Sequence, residues 1–176
     1  MTYLMKNPKK LRKAQKEVRQ AIEKKRFVKE EDIEQLPYLK AVVKETMRLQ
    51  PAAPLLLPRE SSQDCDFDGH KIPAKTTVYV GENPEEFKPE RFRKKSIDLK
   101  GVDFGMIPFG AGRRMCPGIN MGLVIVELSL ANLLYAFNWE MPLGTKSEDL
   151  DMEALPGITM HKKNALCLMA RKYVCE

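Results

Sequence analysis

Phe109-Gly110-Ala111-Gly112-Arg113-Arg114-Met115-Cys116-Pro117-Gly118 places one cysteine in a loop crowded with glycines, and a long apolar run, Ile119–Phe137, follows at once. Glycine lets a backbone take left-handed turns and come close to a flat ligand. A helix start favours a thiolate through its dipole and its free amides. Arg113 and Arg114 add positive charge beside it. A thiolate at a helix start, next to a large apolar helix, suits a soft metal as an axial ligand. Taken alone, such a cysteine reads equally as a buried structural residue in a Gly-rich turn.

Outward from the loop, Gly118–Phe137 is predicted to be the strongest helix, apolar almost all round and hence central. Asn120, Glu127, Ser129 and Asn132 make it costly as a membrane span, so a buried helix is expected. Upstream, Asn83–Gly112 is rich in Pro, Gly, Phe and charge without a period, and reads as a long ordered loop of the functional kind. Prolines 51, 54, 58 and 73 break any helix over Pro51–Val80. Leu55–Leu57 and Thr76–Val80 read there as short strands, with a turn at Asp68-Gly69.

Two amphipathic helices precede this. The first is predicted from Asn7 to Arg26, with Asn7 as cap, Pro8 at the first helical position and Leu4, Leu11, Ala14, Val18, Ala21 and Ile22 at helical spacing. Phe27–Glu34 is a charged connection. The second runs from Pro37 to Leu49 and stops because Gln50 precedes Pro51. The tail after Trp139 reads as a loop and then a hairpin over Ile158–Met160, Lys162–Asn164 and Ala165–Met169. The fold class expected is mainly α with small β elements (α+β).

Composition narrows the function. With 43% hydrophobic and 31% charged residues in 176, the chain has the make-up of one ordinary folded domain rather than of a disordered one. Its net charge of +6 is concentrated at the N-terminal end, where residues 1–50 hold 14 Lys/Arg against 7 Asp/Glu. Such a region can meet an acidic protein, a membrane surface or nucleic acid, and a solvated helix face is the plain alternative. No aromatics are interleaved with the basic residues, which argues against nucleic acid. Cys65, Cys116, Cys167 and Cys175 form no C-x-x-C pair, and His70 and His161 are isolated, which excludes an ordinary structural zinc site. Met1–Lys10 has no apolar core and so no secretory signal. A reduced, cytosol-facing setting is expected.

Two further motifs lie upstream of the loop. Glu45-Thr46-Met47-Arg48 puts a Glu and an Arg three apart on one helix face, where they can pair. Pro89-Glu90-Arg91-Phe92 is the second. In this order, with Leu36-Pro37-Tyr38-Leu39-Lys40, Pro54-Leu55-Leu56-Leu57-Pro58-Arg59-Glu60 and Pro73-Ala74-Lys75-Thr76-Thr77-Val78 around them, the chain resembles the cytochrome P-450 family, most of all its microsomal plant branch. Phe109, Gly112, Arg114, Cys116 and Gly118 fit the haem signature F-x-x-G-x-R-x-C-x-G.

The resemblance implies a function for each of these positions. Cys116 would be the proximal thiolate of the iron in haem b (iron protoporphyrin IX), favouring O–O cleavage. Arg114 would pair with one haem propionate and Arg59 with the other. Phe109 would shield the sulfur. Glu45, Arg48 and Arg91 would form a structural triad that pins the cysteine loop. Leu55–Leu57 and Gly157–Thr159 would lie beside the substrate. The activity implied is a haem-thiolate monooxygenase, which takes electrons from an NADPH-dependent reductase and inserts one oxygen atom into a small apolar organic substrate. Lys94, Lys95, Arg113 and Arg114 would face the reductase. The family sits at the cytosolic face of the endoplasmic reticulum membrane.

The resemblance covers nearly all of this chain, which corresponds to the final third or so of a typical member. Residues 1–176 are therefore expected to be one partial, incomplete domain, without the membrane anchor and so cytoplasmic on its own. The distal G-x-[DE]-T motif is not found, since Lys44-Glu45-Thr46 lacks the glycine. After Val80, where Gly81 and Asn83-Pro84 follow directly, roughly a dozen residues are missing, more than a routine change of loop length. Two alternatives stand beside the enzyme: a truncated, non-catalytic remnant with weak or no haem binding, and a basic helical interaction module over residues 7–26.

Overall fold

The structure, a computed structural model, describes residues 1–22, 25–78, 87–94, 99 and 106–174, with the side chains of Arg93 and Lys94 not among them. Gly81, Asn83, Pro84, Lys95, Cys175 and the junction after Val80 lie outside the described residues.

Helix α1 (Thr2–Lys6) leads into α2 (Pro8–Ala21), whose Pro8 takes the first helical position because an N-terminal amide would have no partner there anyway. Asn7 does not cap α2 with its side chain. Its Nδ2 donates instead to the carbonyl of Tyr3 at 2.9 Å and so closes α1, a short helix the sequence reading lacked. Leu11, Ala14, Gln15 and Val18 fall on the packed face of α2. The charged connection contains a 3-10 turn, Glu30–Gln35, and Asp32 locks its start by accepting from the Lys29 amide at 2.9 Å and from Lys25 Nζ at 2.5 Å. Helix α3 (Pro37–Leu49) stops as expected ahead of Pro51. Arg91–Lys94 forms the short α4 inside what reads in sequence as loop.

Helix α5 (Ile119–Ala136) is long and apolar enough, by length and composition, to cross a membrane. It packs on α2, α3 and the 3-10 turn. Asn132 fastens it, accepting from the Val28 amide and donating to the Val28 carbonyl, each at 3.0 Å. Its burial is one-sided rather than central. Ile119, Glu127, Ala131 and Leu134 are covered, while Met121, Ile125, Val126 and Leu133 face outward, because the described elements flank only one side of the helix. The main core joins Leu4, Leu11, Val18, Leu36, Leu39 and Val42 to Ala131 and Leu134 of α5. A smaller cluster, Leu99, Met106 and Ile119, lies beneath the cysteine loop.

Among the described residues the β structure is four two-stranded pieces, which bears out a mainly helical fold with small sheets. Strands β2 (Cys65–Phe67) and β3 (His70–Ile72) pair across Asp68-Gly69, where both φ angles are positive, +52° and +78°, as a tight hairpin turn requires. Leu55–Leu57 is not a strand. Pro54 and Pro58 deny it a ladder, and Leu56, at φ +53°, donates its amide to Ala53 O at 3.0 Å in a turn. The strand is instead β1 (Arg59–Glu60), paired with β4 (Thr77–Val78). The tail also differs from expectation. Strand β5 (Phe137–Glu140) continues directly from α5 and pairs with β8 (Met169–Lys172), while β6 (Ala154–Leu155) pairs with β7 (His161–Lys162). The expected hairpin over residues 158–169 gives way to these pairings, the first of them long-range.

Candidate functional site

The loop before α5 folds on itself by three backbone bonds. Gly110 N donates to Ile107 O at 2.9 Å, Met115 N to Gly112 O at 3.1 Å, and Cys116 N to Phe109 O at 3.0 Å. Gly110 and Gly112 carry φ of +74° and +71°, the left-handed region that glycine enters at no steric cost. Gly118 is different. Its φ is ordinary, and a methyl group there would sit 3.9 Å from Cys116 Sγ, so its smallness concerns the sulfur's surroundings rather than the turn.

This folding opens a cavity of about 350 Å³ whose lining includes Cys116, Phe109, Arg114, Arg59, Leu56 and Leu57. Four of the six residues singled out in the sequence for cofactor binding therefore meet on one space, and the two glycines Gly112 and Gly118 do not line it. Arg59 arrives on β1, and its guanidinium donates to Arg114 O at 3.3 Å, so two cationic side chains share the cavity with one half-buried sulfur. Sequence reasoning missed Ala52, Ala53, Pro108 and Pro117, which with Gly110 complete the wall. Of the two segments expected beside a substrate, Leu56 and Leu57 line the space. Gly157–Thr159 do not, although the next residue, Met160, donates its amide to Ala52 O at 2.6 Å.

The three triad positions also converge. Glu45, fully buried, accepts from Arg48 Nε at 2.9 Å and Arg48 Nη2 at 3.1 Å, and from Arg91 Nε at 3.1 Å. The Lys88 amide donates to the same carboxylate at 2.6 Å, a contact with no sequence signal because it uses backbone. One buried carboxylate thus fixes α3 to α4 and to the segment ahead of it, and its charge is compensated by two guanidiniums. Arg113 and Arg114 are exposed, as a docking face would need, whereas the Lys94 side chain and Lys95 lie outside the described residues.

No group of three or more His, Cys, Asp or Glu suited to a metal occurs among the described residues. A single sulfur can hold a metal only when the remaining coordination positions come with the metal, as they do in a macrocycle. An apolar wall, one thiol and two guanidiniums for peripheral carboxylates fit a haem, and fit a bare ion poorly.

Comparison with known proteins points the same way. A family model described as Cytochrome P-450 matches residues 1–169. The chain is 50% identical over 186 residues to strychnine-11-hydroxylase of Strychnos nux-vomica, covering 99% of this chain and 37% of that protein. It is 53% identical over 185 residues to cytochrome P-450 71A1 of Persea americana, with the same coverage. A solved zebrafish cytochrome P-450 with abiraterone superposes with a TM-score of 0.82 at 25% identity, covering 98% of this chain and 43% of the other. The chain thus spans little more than a third of the length of these curated relatives. With cytochrome P-450 71A9 of Glycine max the alignment runs over 187 residues and takes in the whole of this 176-residue chain, so the relative has residues that this chain lacks.

Proposed function

Since the chain belongs to the cytochrome P-450 family, we propose that it is the haem-holding C-terminal part of a haem-thiolate monooxygenase, and that residues 1–176 form one partial domain. The observation that carries this reading is the shared cavity of Cys116, Phe109, Arg59 and Arg114. The cofactor is haem, specifically haem b. When bound, it supplies the redox chemistry by which one atom of dioxygen enters an organic substrate.

The chain's own residues have narrower tasks. Cys116 binds the iron through its sulfur. Phe109 covers that sulfur and keeps water from it. Arg114 and Arg59 hold the two propionates by charge-assisted bonds. Gly112 lets the loop turn, and Gly118 leaves room beside the sulfur. Glu45, Arg48 and Arg91 hold the loop's support in place and take no part in the chemistry. Leu56 and Leu57 face a small apolar substrate. Electrons come from an NADPH-dependent reductase that docks on a basic face including Arg113 and Arg114. The cytosolic side of the endoplasmic reticulum membrane is the matching location, and a role in secondary metabolism fits a plant relative such as strychnine-11-hydroxylase.

One observation favours a second reading, a non-catalytic chain that holds haem weakly: the outward face of α5 is apolar and uncovered by the described residues. The test is to reconstitute the chain with haemin, reduce it and expose it to carbon monoxide. The monooxygenase reading expects a strongly red-shifted Soret band that Cys116→Ala abolishes. A free-haem spectrum indifferent to Cys116→Ala overturns it in favour of the second.

A further inference from the structure

Strands β6 and β7 form a hairpin in the tail, and one carboxylate holds its two arms together. Asp151 Oδ1 accepts the Glu153 amide at 2.6 Å, and its Oδ2 accepts Asn164 Nδ2 at 2.8 Å and Lys162 Nζ at 3.4 Å. Glu153 directly precedes β6, while Lys162 ends β7 and Asn164 follows it. Lys163 N adds a backbone bond to Glu153 O at 2.9 Å. Asp151 thus clasps both arms, and bonds to an ionised acceptor are the strong kind.

The residue just ahead of β7 reaches the cysteine site. Met160 N donates to Ala52 O at 2.6 Å. Ala52 and Ala53 line the Cys116 cavity, and Ala53 O accepts the Leu56 amide at 3.0 Å, which closes the turn that brings Leu56 and Leu57 into the same wall. Leu56 holds φ at +53°, a conformation that a leucine keeps only where its surroundings impose it. A second cavity, of about 220 Å³, borders the chain just ahead of this wall, between Gln50 and Pro51 on one side and Met152, Met160, His161 and Lys162 of the tail on the other. Wall and hairpin therefore meet through a hydrogen bond beside a space rather than across a close-packed face. Where the hairpin stands decides where the wall stands.

We propose that Asp151 is a positioning residue for the Cys116 cavity: by clasping the β6–β7 hairpin it places Met160, and through the Met160–Ala52 bond it sets the wall that Ala52, Ala53, Leu56 and Leu57 present to the bound ligand. This rests on the reading of that cavity as the haem and substrate site. Asp151 itself does not line the cavity and acts through the hairpin.

The experiment follows amide hydrogen exchange in the haem-free chain at low protein concentration, by mass spectrometry of peptides covering the wall (52–57), the hairpin (153–164) and the core face of α2 (11–22). Asp151→Ala is expected to speed exchange in wall and hairpin by about threefold or more, with the α2 peptide unchanged. Asp151→Asn, which keeps an acceptor, is expected to restore part of the protection. Lys163→Met removes the exposed pair with Glu153 on the same hairpin and is expected to leave the wall as in the parent. A wall that exchanges at the parental rate while the hairpin has loosened overturns the proposal, since Asp151 would then serve the hairpin alone. If Asp151→Ala does not fold, Asn164→Ala, which removes one bond of the clasp, decides by the same readings. Where the parent chain binds haemin, Asp151→Ala is expected to bind it about threefold or more weakly, and equal affinity beside a loosened wall also overturns the proposal. A free-haem spectrum from the parent, with wall exchange still coupled to Asp151, overturns the monooxygenase reading and leaves the positioning of the wall standing.

Discussion

Glu17 of α2 caps α3 through Leu39: Glu17 Oε2 accepts the Leu39 amide at 2.8 Å while its Oε1 accepts the Tyr38 amide at 2.8 Å. Two of the amides that a helix start leaves without partners are thus satisfied by a charge, which also suits the positive end of the helix dipole. Glu17→Ala is expected to lower the unfolding free energy of the chain by about 1.5–3 kcal/mol, the range for hydrogen bonds to a charged group. Glu17→Gln keeps one acceptor and should lose less. Urea unfolding followed by circular dichroism checks the order, and equal midpoints in all three chains would contradict it.

The carboxylate of Glu45 has three partners and no exposure, so its loss strands more than one group. Glu45→Ala is expected to destabilise by about 3–5 kcal/mol, as removal of one member of a buried ion pair does. The two arginines should differ. Arg48 is 16% exposed in its side chain and Arg91 37%, so Arg48→Ala is expected to cost more than Arg91→Ala. The same unfolding measurement decides, and a reversed order would place the main burden on the segment around α4.

Parts of this site were legible because they are local. Glu45 and Arg48 are three apart on a helix, and Gly110 and Gly112 crowd one loop, so spacing alone reports them. Arg91 entered only through the family resemblance, because nothing in its own neighbourhood announces a partner so far back in the chain. The cap from Glu17 to Leu39 was invisible for the same reason: a glutamate inside one helix gives no sign that it serves another. The pairing of Phe137–Glu140 with Met169–Lys172 spans a whole loop, and short apolar runs nearer at hand offered equally good strands. Leu55–Leu57 misled through its apolar run, where its flanking prolines decided the outcome. A pattern apolar on every side predicts a central position for α5. That pattern reports what the helix needs to have covered, whereas the described chain covers only one face.

The loop glycines separate by backbone angle. A methyl group at Gly110 or Gly112 would meet nothing within 4 Å, so any cost there comes from the left-handed backbone alone. Gly112→Ala is expected to destabilise by about 1–2 kcal/mol for that reason. Gly118→Ala has an ordinary φ and an ordinary contact, and its effect on unfolding should stay within about 0.5 kcal/mol. Any larger effect of Gly118→Ala should show only in haem binding, beside the sulfur. Denaturation of the haem-free chain followed by haemin titration distinguishes the two positions.

Asp32 gives the chain a sensitivity to acid. The hydrogen bond from Lys25, then that from the Lys29 amide, hold its carboxyl below the ordinary range, against burial, which acts the other way. A carboxyl lowered on folding contributes stability that is present above the unfolded value, about 3.9, and is lost as pH falls through the lower folded value. Wild-type stability should therefore decline below about pH 4 more steeply than that of Asp32→Asn, which lacks this contribution at every pH. Thermal midpoints between pH 2 and 7 test it, and parallel curves would show that the start of the 3-10 turn is held by other means.

The outward face of α5 decides how the chain behaves in solution. Met121, Ile125, Val126 and Leu133 are each more than a third exposed, on a helix whose other face is already packed. Contiguous apolar surface of this kind drives association. The chain is expected to associate progressively with concentration, and Ile125→Lys with Val126→Glu to suppress that, because each places a charge at an exposed site without touching the packed face of Ala131 and Leu134. The unfolding midpoint should shift little, since surface substitutions away from packing usually change stability by about 0.5 kcal/mol or less. Sedimentation velocity over a concentration series checks the first expectation and thermal unfolding the second. A double variant that associates as strongly as the parent would move the cause away from α5, to the exposed Leu143, Ile158 and Val174 of the tail.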